Sequence, residues 1–261
     1  MTILQKIIAY KKKEVSWRKS SFPMPFLEKT PLFESSTIPL SEQIINSSSG
    51  IIAEHKRRSP SKPKINDKIS LDDVVKGYEQ AGVCGMSILT DTHFFGGSLE
   101  DLVAARTLCN KPLLRKDFIV DEYQLIEAKA HGADVILLIA AVLSRRDILS
   151  LSTTAKNLSL EVLLEVHNEE ELERGLMPTI DILGVNNRNL KTFEVSTHIS
   201  LELAAKIPDD FVKVSESGIS SVVTIQELKK AGYSGFLIGE NFMKTTNPGQ
   251  AATEFINIIE G

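Results

Sequence analysis

From Gly50 onward the apolar residues fall into short unbroken runs, set apart by stretches in which they recur every three or four positions. The runs are Ile51–Ala53, Met86–Leu89, Pro112–Leu114, Val135–Ile139, Val162–Leu164, Ile182–Val185, Val212–Val214 and Phe236–Ile238. Runs of this length bounded by turn residues predict buried strands. The stretches between them predict helices. These are Leu71–Ala81 after Ser70, Leu99–Leu108 after Ser98, Glu122–His131 before Gly132, and Arg145–Lys156 after Ser144. Glu169–Gly175, Ser200–Lys206, Ser221–Ala231 and Gln250–Ile259 complete the set. Serines at the starts serve as caps, and glycine at an end stops a helix. Strand and helix in alternation imply parallel strands joined by helical crossovers. An open doubly wound sheet would carry a glycine-rich fingerprint after its first strand, and none is present. Eight units in about 210 residues match an α/β fold of the closed (β/α)8 type, the TIM barrel.

Ahead of the barrel the pattern changes. Ile3 to Trp17 reads as a helix with Ile3, Leu4, Ile7, Ile8 and Val15 on one side. Its lysine cluster, Lys11-Lys12-Lys13, is expected on the solvated face. A membrane-surface helix is the alternative, but the segment has few large apolar residues. Pro23, Pro25 and Pro31 disfavour a continuous helix between Ser20 and Ser36. Leu40 to Ile45 reads as another short helical piece. Residues 1–49 are therefore expected to form an N-terminal helical extension packed on a barrel of residues 50–261.

Composition narrows the function classes. At 261 residues, with 42% hydrophobic and 25% charged residues, the chain can bury a sizeable core. A net charge of −4 argues against nucleic acid as the partner. Two cysteines, Cys84 and Cys109, offer neither a metal-ligand spacing nor a disulfide framework, which fits a reducing cytoplasm. No run approaches membrane-spanning length, and no signal peptide is visible.

In a (β/α)8 barrel the reactive residues gather where the strands end. Here the apolar runs lead into Glu54 and Lys56, Lys116, Glu165, Asn186 and Arg188, and Glu216 and Ser217. Glu54 and Lys56, two apart, share one face of a strand, with His55 on the other. That exit alone reads first as a structural ion pair. Five such exits converging on one mouth read as a site. Ser217-Gly218 and Gly239-Glu240 lie in the loops after strands seven and eight, where this fold binds phosphate through backbone N–H groups. Lys56, Arg57, Arg58, Lys62 and Lys64 predict a locally positive mouth that attracts an anion.

Ile51-Ile52-Ala53-Glu54-His55-Lys56-Arg57-Arg58-Ser59-Pro60-Ser61, Leu113-Leu114-Arg115-Lys116-Asp117-Phe118, Leu163-Leu164-Glu165-Val166, Gly184-Val185-Asn186-Asn187-Arg188-Asn189-Leu190 and Ser215-Glu216-Ser217-Gly218-Ile219 together resemble indole-3-glycerol phosphate synthase. The resemblance runs from about Gly50 to the C-terminus, and the helical extension fits it. It implies conversion of 1-(2-carboxyphenylamino)-1-deoxyribulose 5-phosphate to indole-3-glycerol phosphate, CO₂ and water in tryptophan biosynthesis. It implies no metal and no organic cofactor. By resemblance, Lys116 is the general acid, Glu165 acts in the dehydration, and Lys56 holds the substrate carboxylate. Which of these three moves each proton stays open. Glu54 and Glu216 orient the lysines, Asn186 hydrogen-bonds substrate, and Arg188 lies near its anionic ends. Ser59, Ser217, Gly218, Gly239 and Glu240 bind phosphate. The expected partner is the small phosphosugar-anthranilate substrate alone, with no nucleic acid and no membrane, for a cytoplasmic monomer without a fused pathway domain.

Phe94, Phe95 and Phe118 are candidates for an apolar wall under the substrate's ring, or for core packing. None of His55, His93, His131, His167 and His198 is given a catalytic role. Two departures from the family pattern stand out. Pro63 replaces a frequent glycine and stiffens the first loop, and Glu240 replaces a frequent serine, so its carboxylate is expected to point away from the phosphate. Three other readings compete: another phosphosugar enzyme on the same barrel, a non-catalytic phosphate-binding barrel, and a Schiff-base aldolase. The first is disfavoured by the two lysines with Glu165, the second by the presence of Lys116 and Glu165.

Overall fold

The eight apolar runs become eight parallel strands in a computed structural model that describes residues Met1–Gly261. They are β1 (Ile51–His55), β2 (Gly85–Leu89), β3 (Leu113–Lys116), β4 (Val135–Ile139), β5 (Glu161–Val166), β6 (Ile182–Asn186), β7 (Val212–Glu216) and β8 (Gly235–Ile238). Each pairs with its neighbours in sequence, and β8 pairs with β1, closing the barrel. The strands are buried on both faces, one filling the barrel and the other meeting helices, which is why they read as continuous apolar runs.

Several strands run further than their apolar residues. β1 reaches His55, β3 Lys116, β5 Val166, β6 Asn186 and β7 Glu216. Ladder bonds belong to the backbone, so pairing continues through polar positions, as at Leu89 with Lys116 and Asn186 with Glu216. Glu54, Lys116, Glu165, Asn186 and Glu216 thus stand on the last rungs of a rigid sheet, while Lys56 and Arg188 lie in the loops that follow.

The helices are α1 (Ile3–Ser21), α2 (Met24–Leu27), α3 (Leu40–Ile45), α4 (Leu71–Gln80), α5 (Thr92–Phe95), α6 (Leu99–Leu108), α7 (Tyr123–Ala130), α8 (Arg145–Asn157), α9 (Glu169–Gly175), α10 (His198–Ala204), α11 (Val222–Lys230), α12 (Glu240–Met243) and α13 (Pro248–Glu260). Ser70, Ser98, Ser144 and Ser221 cap their helices through the side-chain oxygen. α2, α5 and α12 have four residues each, too few for a periodic signal. α2 carries Pro25 in its first turn, where the missing N–H has no helical partner to lose.

α1 opens with a capping box: Thr2 accepts from the Gln5 backbone, and the Gln5 side chain accepts the Thr2 N–H at 2.8 Å. Its buried positions are Ile7, Lys11 and Val15, one turn apart. Lys11 therefore contradicts the expectation of a wholly solvated lysine cluster. It is 1% exposed, and its Nζ lies 3.0 Å from carboxylate oxygens of Glu14, Asp91 and Asp117. Lys12 and Lys13 do face solvent.

The apolar interior has an outer layer between sheet and helices and an inner layer filling the barrel. Leu40 and Ile44 of α3 join the inner layer beside Ile52, Leu114, Val135, Ile182 and Val214. α3 packs against β2 and β7. Val15 and Leu27 pack with Tyr123 and Ala130 of α7, holding the first helices to the outside.

Candidate active site

A cavity of about 410 Å³ opens at the C-terminal ends of the strands. All twelve candidate residues line it: Glu54, Lys56, Ser59, Lys116, Glu165, Asn186, Arg188, Glu216, Ser217, Gly218, Gly239 and Glu240. Its centre is Lys116. The Nζ donates to Glu216 Oε2 at 2.6 Å and to Glu165 Oε2 at 3.2 Å. Lys56 donates to Glu54, which also accepts from Ser87 Oγ at 3.4 Å. Two ammonium groups and three buried carboxylates thus share one floor.

Closeness of this kind needs room. A Cβ on Gly184 would lie 2.4 Å from Glu216 Oε1, and one on Gly239 2.6 Å from Glu54 Oε1. Glycine at these places lets two carboxylates sit inside the ring.

The charges perturb one another. Burial by itself lowers the Lys116 pKa, but Glu216, Glu165 and Glu54 outweigh it and raise the pKa above the ordinary lysine value. The ammonium form therefore persists at neutral pH. Burial pushes Glu165 up, yet Lys116 and His167 pull it below the usual value, with the Asn186 side chain also helping. Glu216 goes the other way: burial raises it, Lys116 opposes, and Glu165 raises it further. Its Oε1 is buried without a hydrogen-bond partner. Two carboxyls on one lysine are pushed apart in proton affinity, a pattern that divides acid from base.

The loops after β7 and β8 face this floor. Ser217 and Gly218 both take positive φ, 68° and 75°. For serine that region is sparsely populated and costs energy, so the surroundings must hold it. Asn187, buried behind the mouth, does so, donating to Ser217 O at 3.1 Å and Ser215 Oγ at 3.0 Å. Asn186 instead faces the cavity and accepts the Arg188 N–H at 3.0 Å. Arg188 donates Nη1 to Phe193 O at 3.2 Å.

The first loop differs from expectation. Arg57 forks onto Asp101 and also reaches Gly96 O at 3.0 Å, and Arg58 donates to Thr92 O and His93 O. Both clamp the first loop to the second instead of charging the mouth. Lys64 pairs with Asp67 and Lys62 with Glu240. Glu240 lines the cavity, and its charge is met by Lys62 across the mouth rather than turned away to solvent.

Phe95 and Phe118 line the cavity with ring centroids 5.9 Å apart, while Phe94 packs edge-on to Tyr10 and His93. Ile3, Leu4 and Ile7, not among the candidate residues, bring α1 to the cavity wall. Their apolar periodicity was visible, but not what it would cover. His167, given no role from the sequence, sets its Nε2 3.5 Å from Glu165 Oε1. Its place two residues past Glu165 was the available signal.

A family model described as indole-3-glycerol phosphate synthase matches residues 4–255. An indole-3-glycerol phosphate synthase of Bacteroides thetaiotaomicron is 46% identical over 258 residues, covering 99% of both chains. One from Polaromonas naphthalenivorans is 40% identical over 256 residues, covering 97% of both. Among solved structures, thiamine phosphate pyrophosphorylase from Pyrococcus furiosus is similar with a TM-score of 0.58 at 16% identity, covering 83% of this chain and 98% of that one. A structure described as native KDPGal has a TM-score of 0.57 at 13% identity, covering 80% and 91%. At such identities the two share the fold alone.

Proposed function

The chain belongs to the indole-3-glycerol phosphate synthase family, and from that premise we propose how its cavity carries out the family's reaction. The reaction is the decarboxylating and dehydrating ring closure of 1-(2-carboxyphenylamino)-1-deoxyribulose 5-phosphate in tryptophan biosynthesis, so the chain is a carboxy-lyase. The arrangement that supports the reading best is Lys116 Nζ held between Glu165 and Glu216 on the cavity floor.

Ring closure needs an electrophilic ketone. Lys116, kept as an ammonium by its carboxylates, gives its proton to the ketone oxygen as the aromatic carbon attacks. Lys56 holds the substrate carboxylate until it leaves as CO₂. The new hydroxyl then departs as water with a second proton, and a C–H proton is removed. Glu165 serves this dehydration: its depressed pKa suits a base, and its hydrogen bond to Lys116 links the two stages. Glu54 and Glu216 orient Lys56 and Lys116, and Asn186 and Arg188 hold substrate. Ser59, Ser217, Gly218, Gly239 and Glu240 cradle the phosphate, mostly by backbone N–H groups. Phe95 and Phe118 press the ring toward the ketone, so that proximity supplies acceleration that proton transfer alone does not.

The chain acts as a monomer on this reading, since one copy supplies every residue used, and nucleic acid has no part. No helix is long and apolar enough to cross a membrane, in keeping with a cytoplasmic biosynthetic enzyme. The test is indole formation followed by fluorescence, for wild type and Lys116→Ala. Wild type turns over, and the variant, still folded by circular dichroism, loses about 10²–10⁴-fold in kcat. Turnover that survives the substitution removes Lys116 as the acid.

A further inference from the structure

His167 follows β5 and sits between two carboxylates. Its Nδ1 lies 3.1 Å from Glu171 Oε2, and its Nε2 lies 3.5 Å from Glu165 Oε1. Glu171 Oε2 also accepts the His167 backbone N–H at 2.8 Å, and Glu171 Oε1 accepts from Asn168 Nδ2 at 3.1 Å. The ring is therefore fixed by α9 on one side and aimed at Glu165 on the other. Nε2 is buried and has no hydrogen-bond partner within the protein, although Glu165 stands just beyond hydrogen-bond distance. Such contacts tighten when substrate fills a site.

The reaction calls for a base held in place. A proton goes to the ketone oxygen, a second leaves with the hydroxyl, and the C–H proton must be taken up by a group aimed at it. Glu165 fills that part, with Oε2 on Lys116 Nζ at 3.2 Å. We propose that His167 is a positioning residue for Glu165, whose Nε2–H closes onto Oε1 and holds the carboxylate in line with the C–H bond it attacks. This rests on the reading of Glu165 as the dehydration partner. The ring keeps its proton throughout: Nδ1–H stays on Glu171 Oε2 and Nε2–H on Glu165 Oε1, and Glu165 takes the C–H proton.

The charged groups facing His167 are Glu165 on β5, Glu171 on α9 and, farther off, Glu216 on β7. Burial lowers the ring's proton affinity, but these carboxylates outweigh it and raise the pKa above the ordinary histidine value. The ring thus holds its proton to higher pH than a free histidine and loses it as pH rises through the raised value.

The experiment compares wild type, His167→Gln, His167→Ala and Glu165→Gln by kcat, KM, single-turnover rate and the pH dependence of each, with thermal melts. We expect His167→Gln to melt near wild type and keep KM within about twofold. Its kcat falls about tenfold, less than the ~10²–10⁴ of a group acting directly. The alkaline fall of the wild-type kcat disappears, and added imidazole restores part of the His167→Ala activity. An unchanged rate and pH profile in His167→Gln, beside a crippled Glu165→Gln, overturns the inference and leaves the Glu165 reading intact. So does a loss that follows melting temperature and that imidazole does not relieve. Wild-type kcat in Glu165→Gln overturns both.

Discussion

Lys11 shows how one residue can join two parts of the chain. It lies one turn from Ile7 and one from Val15 on the buried stripe of α1, and there it meets Asp91 after β2 and Asp117 after β3. Asp117 directly follows Lys116, and Arg115 reaches it from the other side at 3.1 Å. Burial lowers the Lys11 pKa, but the three carboxylates raise it above the ordinary lysine value. Burial raises Asp117, but Lys11 and Arg115 bring it below the ordinary carboxylate value. The signs fix the pH window. The Lys11 contribution is complete below the ordinary lysine pKa and lost as pH rises through the raised one. The Asp117 contribution is complete above the ordinary carboxylate pKa and lost as pH falls through the depressed one. Lys11→Met leaves two buried carboxylates short of a partner and costs about 3–5 kcal/mol. Denaturant unfolding is expected to give a constant difference from wild type between about pH 5 and 9, shrinking in acid. A penalty under 1 kcal/mol would mean that water or Arg115 already compensates those carboxylates. Lys11 falls midway between Ile7 and Val15, but a lysine triplet reads as solvated until its acidic partners, distant in sequence, are in view. His167 was hidden for the same reason. Its neighbour Glu165 was legible, but the turn that brings Glu171 back onto the ring was not.

At the scale of elements, the legible signals were those carried by local chemistry. Ser70, Ser98, Ser144 and Ser221 stood ahead of periodic stretches, and each accepts the backbone N–H three residues on. Strand ends were harder to place, because a ladder does not stop where side chains become charged. This displacement matters for function: Lys116, Asn186 and Glu216 are held by strand pairing, which fixes them more closely than a loop would. The basic first loop misled for the opposite reason. Arg57 and Arg58 looked like ligands for an anion, but they fasten one loop to the next, and only spatial neighbours such as Asp101 reveal it. Capping and catalysis separate cleanly on the outer ring. Ser144 forms a capping box with Asp147 at the start of α8. Ser144→Ala is expected to lower stability by about 1 kcal/mol with kcat and KM unchanged. A change in kcat would tie α8 to the mouth in a way its position does not suggest.

The whole molecule divides its labour between the barrel's two ends. At the C-terminal ends of the strands, ammonium groups and carboxylates are packed together at the expense of stability. At the other end, α3 sets Leu40 and Ile44, 0% and 1% exposed, into the inner apolar layer. This end carries no candidate site residue, and its backbone is tied down as well: the Leu40 N–H donates to Glu161 Oε2 at 2.7 Å, and the Ser41 N–H donates to the same oxygen at 3.0 Å. Stability and chemistry should therefore respond to different substitutions. Leu40→Ala removes a fully buried side chain from a closed layer that has little freedom to collapse, and the expected cost is about 2–5 kcal/mol. Measured well below the melting transition, the variant should keep wild-type kcat and KM, because the strands between the plug and the mouth are continuous hydrogen-bonded ladders that hold Lys116 and Glu216 in place. Unfolding in denaturant and turnover at low temperature, measured on one preparation, decide the matter. A fall in kcat in step with the loss of stability would mean that the plug sets the strand positions at the mouth. It would then place part of the catalytic geometry at the end of the barrel farthest from the substrate.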